Sequence, residues 1–481
     1  MDSFVKTYEY DNGEIQRVHT VILEKGLGFR FFKPRHNPLA FERICTLYRT
    51  FTVPRLPIIF GRMMHFCLPE GIEVPEKVLE FCRAFENRYG VLADDLNKVT
   101  VAFREALRIR RDGSVFERKS AGAGGAVLEF YEYLKSRGFA KVVCGKLPYN
   151  KFLPVSNDFG LLSESEKDAE IRANSTFFVM DSFDVASAYD CIGTPIGLTV
   201  EEGTVLTPPL FGREAFAVRK NGNVAIEKIT LDDLCVSVGG FKFKNGSEGV
   251  SFFERPGRAK TPAASRESCA ELVIVGRKVR AVKRGGNTVI PASGFVIRLD
   301  MRQKRFVDLL DDEKFFGFVD APVAYEGLED VRFAVAAGNP AVIEGEKVLN
   351  FRAKFYNIKK LWTVKYPPTL FPVDFERARA PRMVIGALKD GRLSLVWAEG
   401  KSKFNYEPGV ESCGASLKEM ADICEDIGLY NAVHLDGGGS AQLLLNGSRK
   451  LKISDRNKAD KSEAERAVPL GICLTSQSIE G

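Results

Sequence analysis

The segment NAVHLDGGGSAQLLLNG, which runs from Asn431 to Gly447, interrupts an apolar run with one aspartate, three glycines and a serine. Side chains alternate along a strand, so His434 and Asp436 are expected to point to the same side. Three glycines in a row weaken a strand, because glycine packs no side chain and loses much conformational freedom on folding. The segment therefore indicates two buried strands joined by a loop that is kept for a purpose other than stability.

The glycine loop does not match the common nucleotide-binding patterns. A Walker loop requires GxxxxGK[ST], and a dinucleotide-binding loop requires GxGxxG at the start of a helix, whereas a strand follows here. Ser440 is not in a GxSxG nucleophile elbow either, because Gln442 stands two places after it. Two interpretations remain open. The loop amides form an anion-binding nest with Asp436 aimed at a reacting centre, or the loop is a tight bend that Asp436 caps.

A helix is predicted directly before this strand, over the sequence SLKEMADICEDIG. Ser416 and Glu419 have the spacing of a capping box, and Gly428 stands where a helix is expected to end. The apolar residues fall on one helical face: Leu417, Met420, Ala421, Cys424 and Ile427. The order in this region is therefore helix, buried strand, glycine loop and strand.

Hairpin signals dominate after about residue 165. Turn pairs ending in glycine separate apolar-rich arms at four places: Glu202-Gly203, Asn221-Gly222, Glu344-Gly345 and Asp390-Gly391. Asn-Gly and Asp-Gly between such arms are strong hairpin signals. We therefore predict an α+β protein in which residues 166–481 form a mainly antiparallel, hairpin-rich sheet domain with flanking helices.

The first third of the chain has a different pattern. Between Pro75 and Phe139, apolar residues recur at helical spacing in two stripes, and a third helix is expected from Ala126 to Arg137. Residues 36–160 are therefore predicted to form a mostly helical subdomain within an N-terminal segment, 1–165, of unknown function. The glycine-rich stretch from Ser120 to Gly125 fits either a phosphate-binding helix start or a flexible entry loop.

Composition and charge are those of an ordinary globular chain. The 481 residues include 69 basic and 63 acidic side chains, and the net charge of +6 suits an anionic substrate without requiring nucleic acid. No window has 18 uninterrupted apolar residues and no signal peptide is recognisable, so we expect no membrane span and a cytoplasmic location. The ten cysteines form no CxxC pair and are expected to be reduced. With four histidines and no HExxH motif, no metal or cofactor is predicted.

Several segments together resemble the phosphodiester glycosidase family. AVHLDGGGSAQLLLNG is similar to the family signature, and RANSTFFVM, Arg172 to Met180, to its Asn-x-x-Phe-Phe segment. APRMVIGALKDGRLSLV, Ala380 to Val396, is similar to its Pro-Arg-Thr strand and hairpin, and ERAVPLGICL, Glu465 to Leu474, to its closing strand. The segments keep the family order over roughly residues 166–481. The residues before them carry no resemblance.

Two departures from the family pattern lie beside the expected site. His434 stands where the family usually has Asn, and Met383 stands where it has Thr after Pro-Arg. Both positions bear on substrate preference. Without a recognisable secretion signal, the chain resembles a bacterial relative more than the animal enzymes of the secretory pathway.

The resemblance implies a hydrolase that cleaves the anomeric C–O bond of a sugar-1-phosphodiester, such as an N-acetylglucosamine-1-phosphodiester. The substrate is then a small molecule or a glycan, and the products are free sugar and a phosphate monoester. Catalytic roles are implied for Asp436, Arg382 and Asn174: a carboxylate for the reacting carbon, an arginine fork for phosphate, and an amide for a sugar group. The implied substrate-binding residues are Gly437, Gly438, Gly439, Ser440, His434 and Arg466.

Other interpretations of the sequence remain open. A second carboxylate could come from Glu214 or Asp181, and its distance from Asp436 would decide whether the anomeric configuration is retained. A non-catalytic protein that binds sugar phosphates or nucleotide sugars would keep the arginines but lack a working carboxylate. An interaction protein would instead dock partners through the first third, where the basic run RIRRDGSVFERK extends from Arg108 to Lys119.

Overall fold

The computed structural model describes residues 1–35, 60–68, 71–119, 122, 124–146, 153–155, 160–180, 184, 187–190, 193–255, 257–349, 378–402, 406–457 and 460–475. Within these ranges the chain forms several antiparallel sheets flanked by short helices, which confirms the predicted sheet-rich architecture. The helices are α1 Glu76–Arg83, α2 Glu86–Tyr89, α3 Asp95–Ala106, α4 Gly124–Ser136, α5 Asp312–Phe316 and α6 Leu417–Ile427.

A seven-stranded sheet carries the strand that precedes the glycine loop. Its strands, from edge to edge, are β1 Asp2–Glu9, β2 Ile15–Ile22, β28 Leu393–Ala398, β27 Arg382–Leu388, β29 Leu429–His434, β25 Pro340–Ile343 and β26 Glu346–Lys347. The central strands are buried on both faces, which explains their nearly continuous apolar sequences. Helix α6 packs its apolar stripe on one face, where Met420 and Cys424 share a core with Val384 and Ala432.

A five-stranded sheet packs against the other face of the seven-stranded sheet. Its order is β3 Gly28–Phe32, β32 Gly471–Thr475, β10 Ile171–Asn174, β30 Leu443–Leu445 and β31 Ser448–Arg449. Phe31 and Ile472 from this sheet share one apolar core with Met383 and Trp397 from the seven-stranded sheet. The glycine loop connects β29 to β30, so it crosses from one sheet to the other.

Three more sheets form the middle of the chain. One contains β14 Thr204–Thr207, β13 Thr199–Glu201, β24 Val331–Val335, β15 Glu214–Arg219 and β16 Val224–Lys228. The second contains β18 Phe241–Lys244, β17 Cys235–Val238 and β23 Val323–Glu326. The third contains β19 Val250–Glu254, β22 Gly294–Asp300, β20 Cys269–Val275, β21 Lys278–Arg284 and β5 Val91–Leu92. A short pair, β11 Phe177–Phe178 and β12 Pro195–Ile196, follows Asn174. All four predicted hairpin turns connect paired strands.

The prediction of a mostly helical N-terminal segment is wrong. Strands β1 to β3 belong to the two sheets described above, because β2 pairs with β28 and β3 pairs with β32. Helices α1 to α4 are present but alternate with strands, namely β4 Phe60–Cys67, β6 Leu107–Ile109, β7 Val115–Glu117, β8 Ala140–Lys146 and β9 Leu153–Val155. The helical stripes were recognisable locally, whereas β4 pairs with β8 and β9, which lie about eighty residues further along the chain.

Two local predictions about helix starts can be compared with the structure. Helix α6 begins with the predicted capping box, in which the Ser416 and Glu419 side chains each accept a backbone N–H, and Gly428 ends it with φ of +84°. At the start of α4, a Cβ on Gly124 would meet the Glu117 side chain, with its Oε1 only 2.7 Å away. The protein's own carboxylate therefore lies at this helix N-terminus, which argues against the phosphate-binding interpretation there.

Candidate active site

The three glycines of the loop are each required for a different physical reason. A Cβ on Gly437 would lie 2.9 Å from the carbonyl oxygen of Pro381. Gly438 has φ of +59°, in the left-handed region that favours glycine. A Cβ on Gly439 would collide with the Asp455 carboxylate and the Arg466 guanidinium. Because glycine has no side chain, the triplet lets the loop pass between the Pro381 carbonyl group and the buried Asp455–Arg466 ion pair.

Three amides of the loop donate to carbonyl oxygens within the protein. The Gly438 N–H donates to Pro381 O at 2.9 Å. The N–H groups of Ser440 and Ala441 donate to the carbonyl oxygens of Gly437 and Gly438, which closes a single 3-10 turn. These three amides are therefore engaged within the protein, which argues against a nest of free amides at this loop.

Asn174 ties the two ends of the loop together. Its side chain is 1% exposed at the end of β10. The Nδ2 group donates to Asp436 O at 2.7 Å, and Oδ1 accepts the Gln442 N–H at 3.0 Å. These contacts assign Asn174 a positioning role for the loop, while a direct catalytic role stays a prediction.

Asp436 is a buried carboxyl group directly before the glycines. Its backbone N–H donates to Ser175 O at 3.0 Å, and the residue is only 8% exposed. Burial raises the pKa of the carboxyl to about 6, and the effect is partly offset by the Ser440 hydroxyl, the Arg466 charge and the Gly437 amide. A carboxyl that changes charge close to neutral pH has the property expected of a catalytic group.

Arg466 links Asp436 to a second buried carboxylate. Its Nε donates to Asp455 Oδ2 at 2.9 Å, and its Nη2 donates to Oδ1 at 3.2 Å, a two-pronged ion pair. The Nη1 group faces Ser440 Oγ at 3.5 Å and Met180 Sδ at 3.6 Å. Asp436, Ser440, Arg466 and Asp455 therefore form one polar network around Gly439.

Arg382 borders the glycine loop from the other side. Its side chain is buried at the start of β27, where Nε donates to Ala415 O at 2.9 Å and Nη2 donates to Ala378 O at 2.8 Å. A Cβ on Gly437 would lie 3.9 Å from Arg382 Nη1. Burial lowers the pKa of Arg382 to about 10, so it remains a cation at neutral pH. Two buried guanidinium groups thus flank the loop.

His434 ends β29 two residues before the catalytic candidate Asp436. The residue is 3% exposed, and neither ring nitrogen has a hydrogen-bond partner among the residues that the structure describes. Burial and the charge of Arg382 lower the pKa of the imidazole to about 3, so the ring is neutral at working pH. Its predicted part in substrate binding stays a prediction, and its nitrogens are polar groups that a ligand can use.

The four residues from separate segments, Asn174, Arg382, Asp436 and Arg466, all meet at this loop. Of the two candidate second carboxylates, Glu214 begins β15 in another sheet, and Asp181 lies outside the described residues, so its part stays a prediction. A further buried carboxylate is Asp184, which is 1% exposed. Its Oδ2 accepts the Met180 N–H at 2.9 Å, and Met180 in turn contacts Arg466.

Sequence reasoning missed Asp455 and Ser175. Asp455 lies in KISDRN, a stretch without a motif, and its role depends on Arg466 eleven residues later. Ser175 contributes a backbone carbonyl, which no side-chain pattern reveals. Neither residue carries a local signal, because both act through contacts that exist only in the folded chain.

Two general properties concern the described part of the chain as a whole. Within it, no group of three or more His, Cys, Asp or Glu side chains is placed to hold a metal ion. None of its helices combines the length and apolarity needed to cross a membrane.

Comparison with known proteins places the glycine loop in a recognised family segment. Residues 268–475 match the family model described as phosphodiester glycosidase. N-acetylglucosamine-1-phosphodiester alpha-N-acetylglucosaminidase from Mus musculus is 31% identical over 100 residues, and the Homo sapiens protein is 32% identical over 100 residues. Each match covers 21% of this chain and 18% of the relative, so it spans less than a fifth of the relatives' length.

Solved structures show weak similarity. A hypothetical protein from Synechocystis aligns over 98% of this chain and 61% of its own, with 15% identity and a TM-score of 0.41. The catalytic domain of zebrafish N-acetylglucosamine-1-phosphodiester alpha-N-acetylglucosaminidase, auto-inhibited by its pro-peptide, aligns over 55% of this chain and 88% of its own. Its identity is 18% and its TM-score is 0.26. The family match leaves Asn174 outside its bounds. It nevertheless confirms, over residues 268–475, the resemblance of this chain to the phosphodiester glycosidase family.

Proposed function

We propose that this chain hydrolyses the anomeric C–O bond of a sugar-1-phosphodiester, with N-acetylglucosamine-1-phosphodiesters as the first substrates to test. The observation that carries the proposal is the buried Asp436 carboxyl beside the Arg466 guanidinium, at a glycine loop that Arg382 borders on its other side. The family match over residues 268–475 and the names of the curated relatives support the same reaction class.

The chemistry of the bond fits the groups present. When the anomeric C–O bond breaks, its electron pair leaves with the phosphate monoester, and water supplies the new hydroxyl of the sugar and one proton. Phosphate is a stable leaving group, so strong general-acid help is not needed. The protein must instead hold the phosphate charge and stabilise positive charge that develops on the sugar ring.

Each group at the loop is given one task in this proposal. Arg466 and Arg382 engage the phosphate, because a guanidinium fork matches phosphate oxygens in geometry and charge. Ionised Asp436 faces the anomeric carbon as nucleophile or charge stabiliser. Asn174 keeps both ends of the loop in register, so that Asp436 and the glycines hold their positions.

The test uses purified full-length chain and a panel of sugar-1-phosphodiesters that vary in sugar and in aglycone, including the methyl diester of N-acetylglucosamine-1-phosphate. Proton NMR of the reaction identifies the first-formed anomer and therefore the stereochemical course. Asp436→Asn should lower kcat at least about a hundredfold, which corresponds to roughly 3 kcal/mol of transition-state stabilisation. Arg382→Lys should mainly raise KM, because a point charge replaces the fork.

Two outcomes would redirect the assignment. Binding of the diesters without any cleavage would favour the non-catalytic sugar-phosphate or nucleotide-sugar-binding protein. Near-normal turnover by a folded Asp436→Asn variant would transfer the catalytic role to another carboxylate, and Asp184 would then be the next residue to substitute.

A further inference from the structure

We propose that Asp455 is a positioning residue that fixes the direction of Arg466 and balances its charge next to Asp436; the inference deepens the proposed hydrolase function and rests on it. Asp455 is 3% exposed and grips Arg466 through two hydrogen bonds, at 2.9 and 3.2 Å. A two-pronged grip of this kind fixes the plane of the guanidinium as well as its position. The third nitrogen of Arg466 is thereby directed to Ser440.

The backbone around Arg466 is held separately from its side chain. The carbonyl oxygen of Arg466 accepts from Gln442 Nε2 at 3.0 Å, and the Gln442 N–H is bonded to Asn174. The main chain therefore stays in place when the side chain loses its partner. What Asp455 adds is the orientation and the neutralisation of the guanidinium.

The charge balance has a consequence for Asp436. The charged or titratable groups around this carboxyl in the described structure are Arg466, Asp455, Arg382, His434 and, beyond Met180, Asp184. Arg466 favours the ionised form of Asp436, whereas the negative charge of Asp455 opposes that effect. Removal of the Asp455 charge leaves Arg466 uncompensated, so the pKa of Asp436 should fall.

The experiment measures the pKa of Asp436 directly and the activity separately. Carboxyl carbon NMR of protein labelled at aspartate, assigned with Asp436→Asn, follows the titration in the wild type and in Asp455→Asn. We expect the pKa of Asp436 to fall by roughly half a unit or more. The acidic limb of the kcat/KM profile should move to lower pH by the same amount, with at least about a tenfold loss of kcat/KM.

Asp455→Glu and Glu271→Gln are the matched controls. Asp455→Glu keeps the charge and should leave the acidic limb in place while part of the lost activity returns. Glu271 is fully buried and forms an ion pair with Arg298 in another sheet, so Glu271→Gln breaks a comparable pair elsewhere. It should lower stability without moving the pKa of Asp436.

Unfolding of Asp455→Asn would not end the test. The double variant Asp455→Asn/Arg466→Met removes both charges together and leaves no unpaired buried ion. In it the pKa of Asp436 should stay at or above the wild-type value, because the nearer positive charge has also gone. An unchanged pKa in Asp455→Asn, or a fall in the double variant, overturns the inference. Failure of the wild type to cleave any diester would reject the proposed function while the NMR titration still decides the role of Asp455.

Discussion

The charge state of one carboxyl connects stability with activity at the residue scale. In the folded chain the pKa of Asp436 is raised from 3.8 to about 6. The folded state therefore binds more protons than the unfolded state between these values, and stability falls as pH rises from about 4 to about 6. The free energy of unfolding falls by on the order of 3 kcal/mol, because each unit of pKa shift corresponds to about 1.4 kcal/mol.

Asp436→Asn should remove this pH dependence, because an amide does not titrate. We expect the variant to be more stable than the wild type at pH 7.5. At pH 4 the wild type regains the stability of its protonated carboxyl, so the variant should lose that advantage. Turnover is lost at both pH values. Urea unfolding of both proteins at several pH values gives the difference. A variant that is less stable than the wild type throughout would instead identify the carboxylate as a structural cap.

His434 gives the opposite dependence on pH. Its pKa is lowered from 6.5 to about 3, so the unfolded state takes up a proton that the folded state excludes. This contribution to stability is fully present above pH 6.5 and is lost as pH falls toward 3. When pH drops from 7.5 to 4.5, the free energy of unfolding of His434→Leu should therefore fall by about 3 kcal/mol less than that of the wild type. Equal acid sensitivity of the two proteins in urea unfolding would contradict a neutral, buried imidazole.

At the element scale, the glycine loop and the ion pair below it depend on each other. Gly439→Ala should displace the Asp455–Arg466 pair and destabilise the chain by about 3 kcal/mol or more. The Cβ of Gly438→Ala would enter open space. This variant should be destabilised only because alanine disfavours the left-handed backbone conformation, by about 1–2 kcal/mol. In an Asp455→Ala background, Gly439→Ala should destabilise the chain less, since the collision with Asp455 is gone and Arg466 loses the partner that holds its guanidinium against the loop. Additive effects in that double variant, measured by urea unfolding, would contradict the packing argument.

The same loop shows how far sequence reasoning reaches at this scale. The capping box of α6, the strand before the loop and the hairpin turns depend on neighbouring residues, so they were predictable. The reasons for the glycines were not, because Pro381, Asp455 and Arg466 approach from other segments. The amide nest, one of the two interpretations that the sequence left open, illustrates the limit, because three of the loop amides bond to nearby carbonyl groups.

At the scale of the whole molecule, the first strands complete the sheets that hold the site. Val21, Phe29 and Phe31 enter the core shared by the two packed sheets. A fragment of residues 166–481 would expose the edges of β28 and β32 together with that apolar surface, so we expect it to aggregate rather than fold. Co-expression with residues 1–35 should restore part of the soluble yield. A monomeric, cooperatively unfolding 166–481 fragment would show that these strands are accessory.

This arrangement was not predictable from the N-terminal sequence. Periodicity describes a residue's immediate neighbours, and the helical stripes after Pro75 were correctly recognised in that sense. Strands β2 and β3 have partners in the last hundred residues, and pairing over such separations leaves no local signature. The family resemblance did not help, since it begins after this segment.

The pairing of β3 with β32 also constrains how the protein is made. Phe31 lies opposite Ile472, so the third strand leaves the ribosome long before its partner exists. At about 5–20 residues per second, translation of the intervening chain takes roughly 20–90 seconds. During that interval the aromatic side chains of β3 have no native surface to cover them. Biosynthesis of this protein should therefore depend on chaperones that shield nascent β3 until β32 emerges.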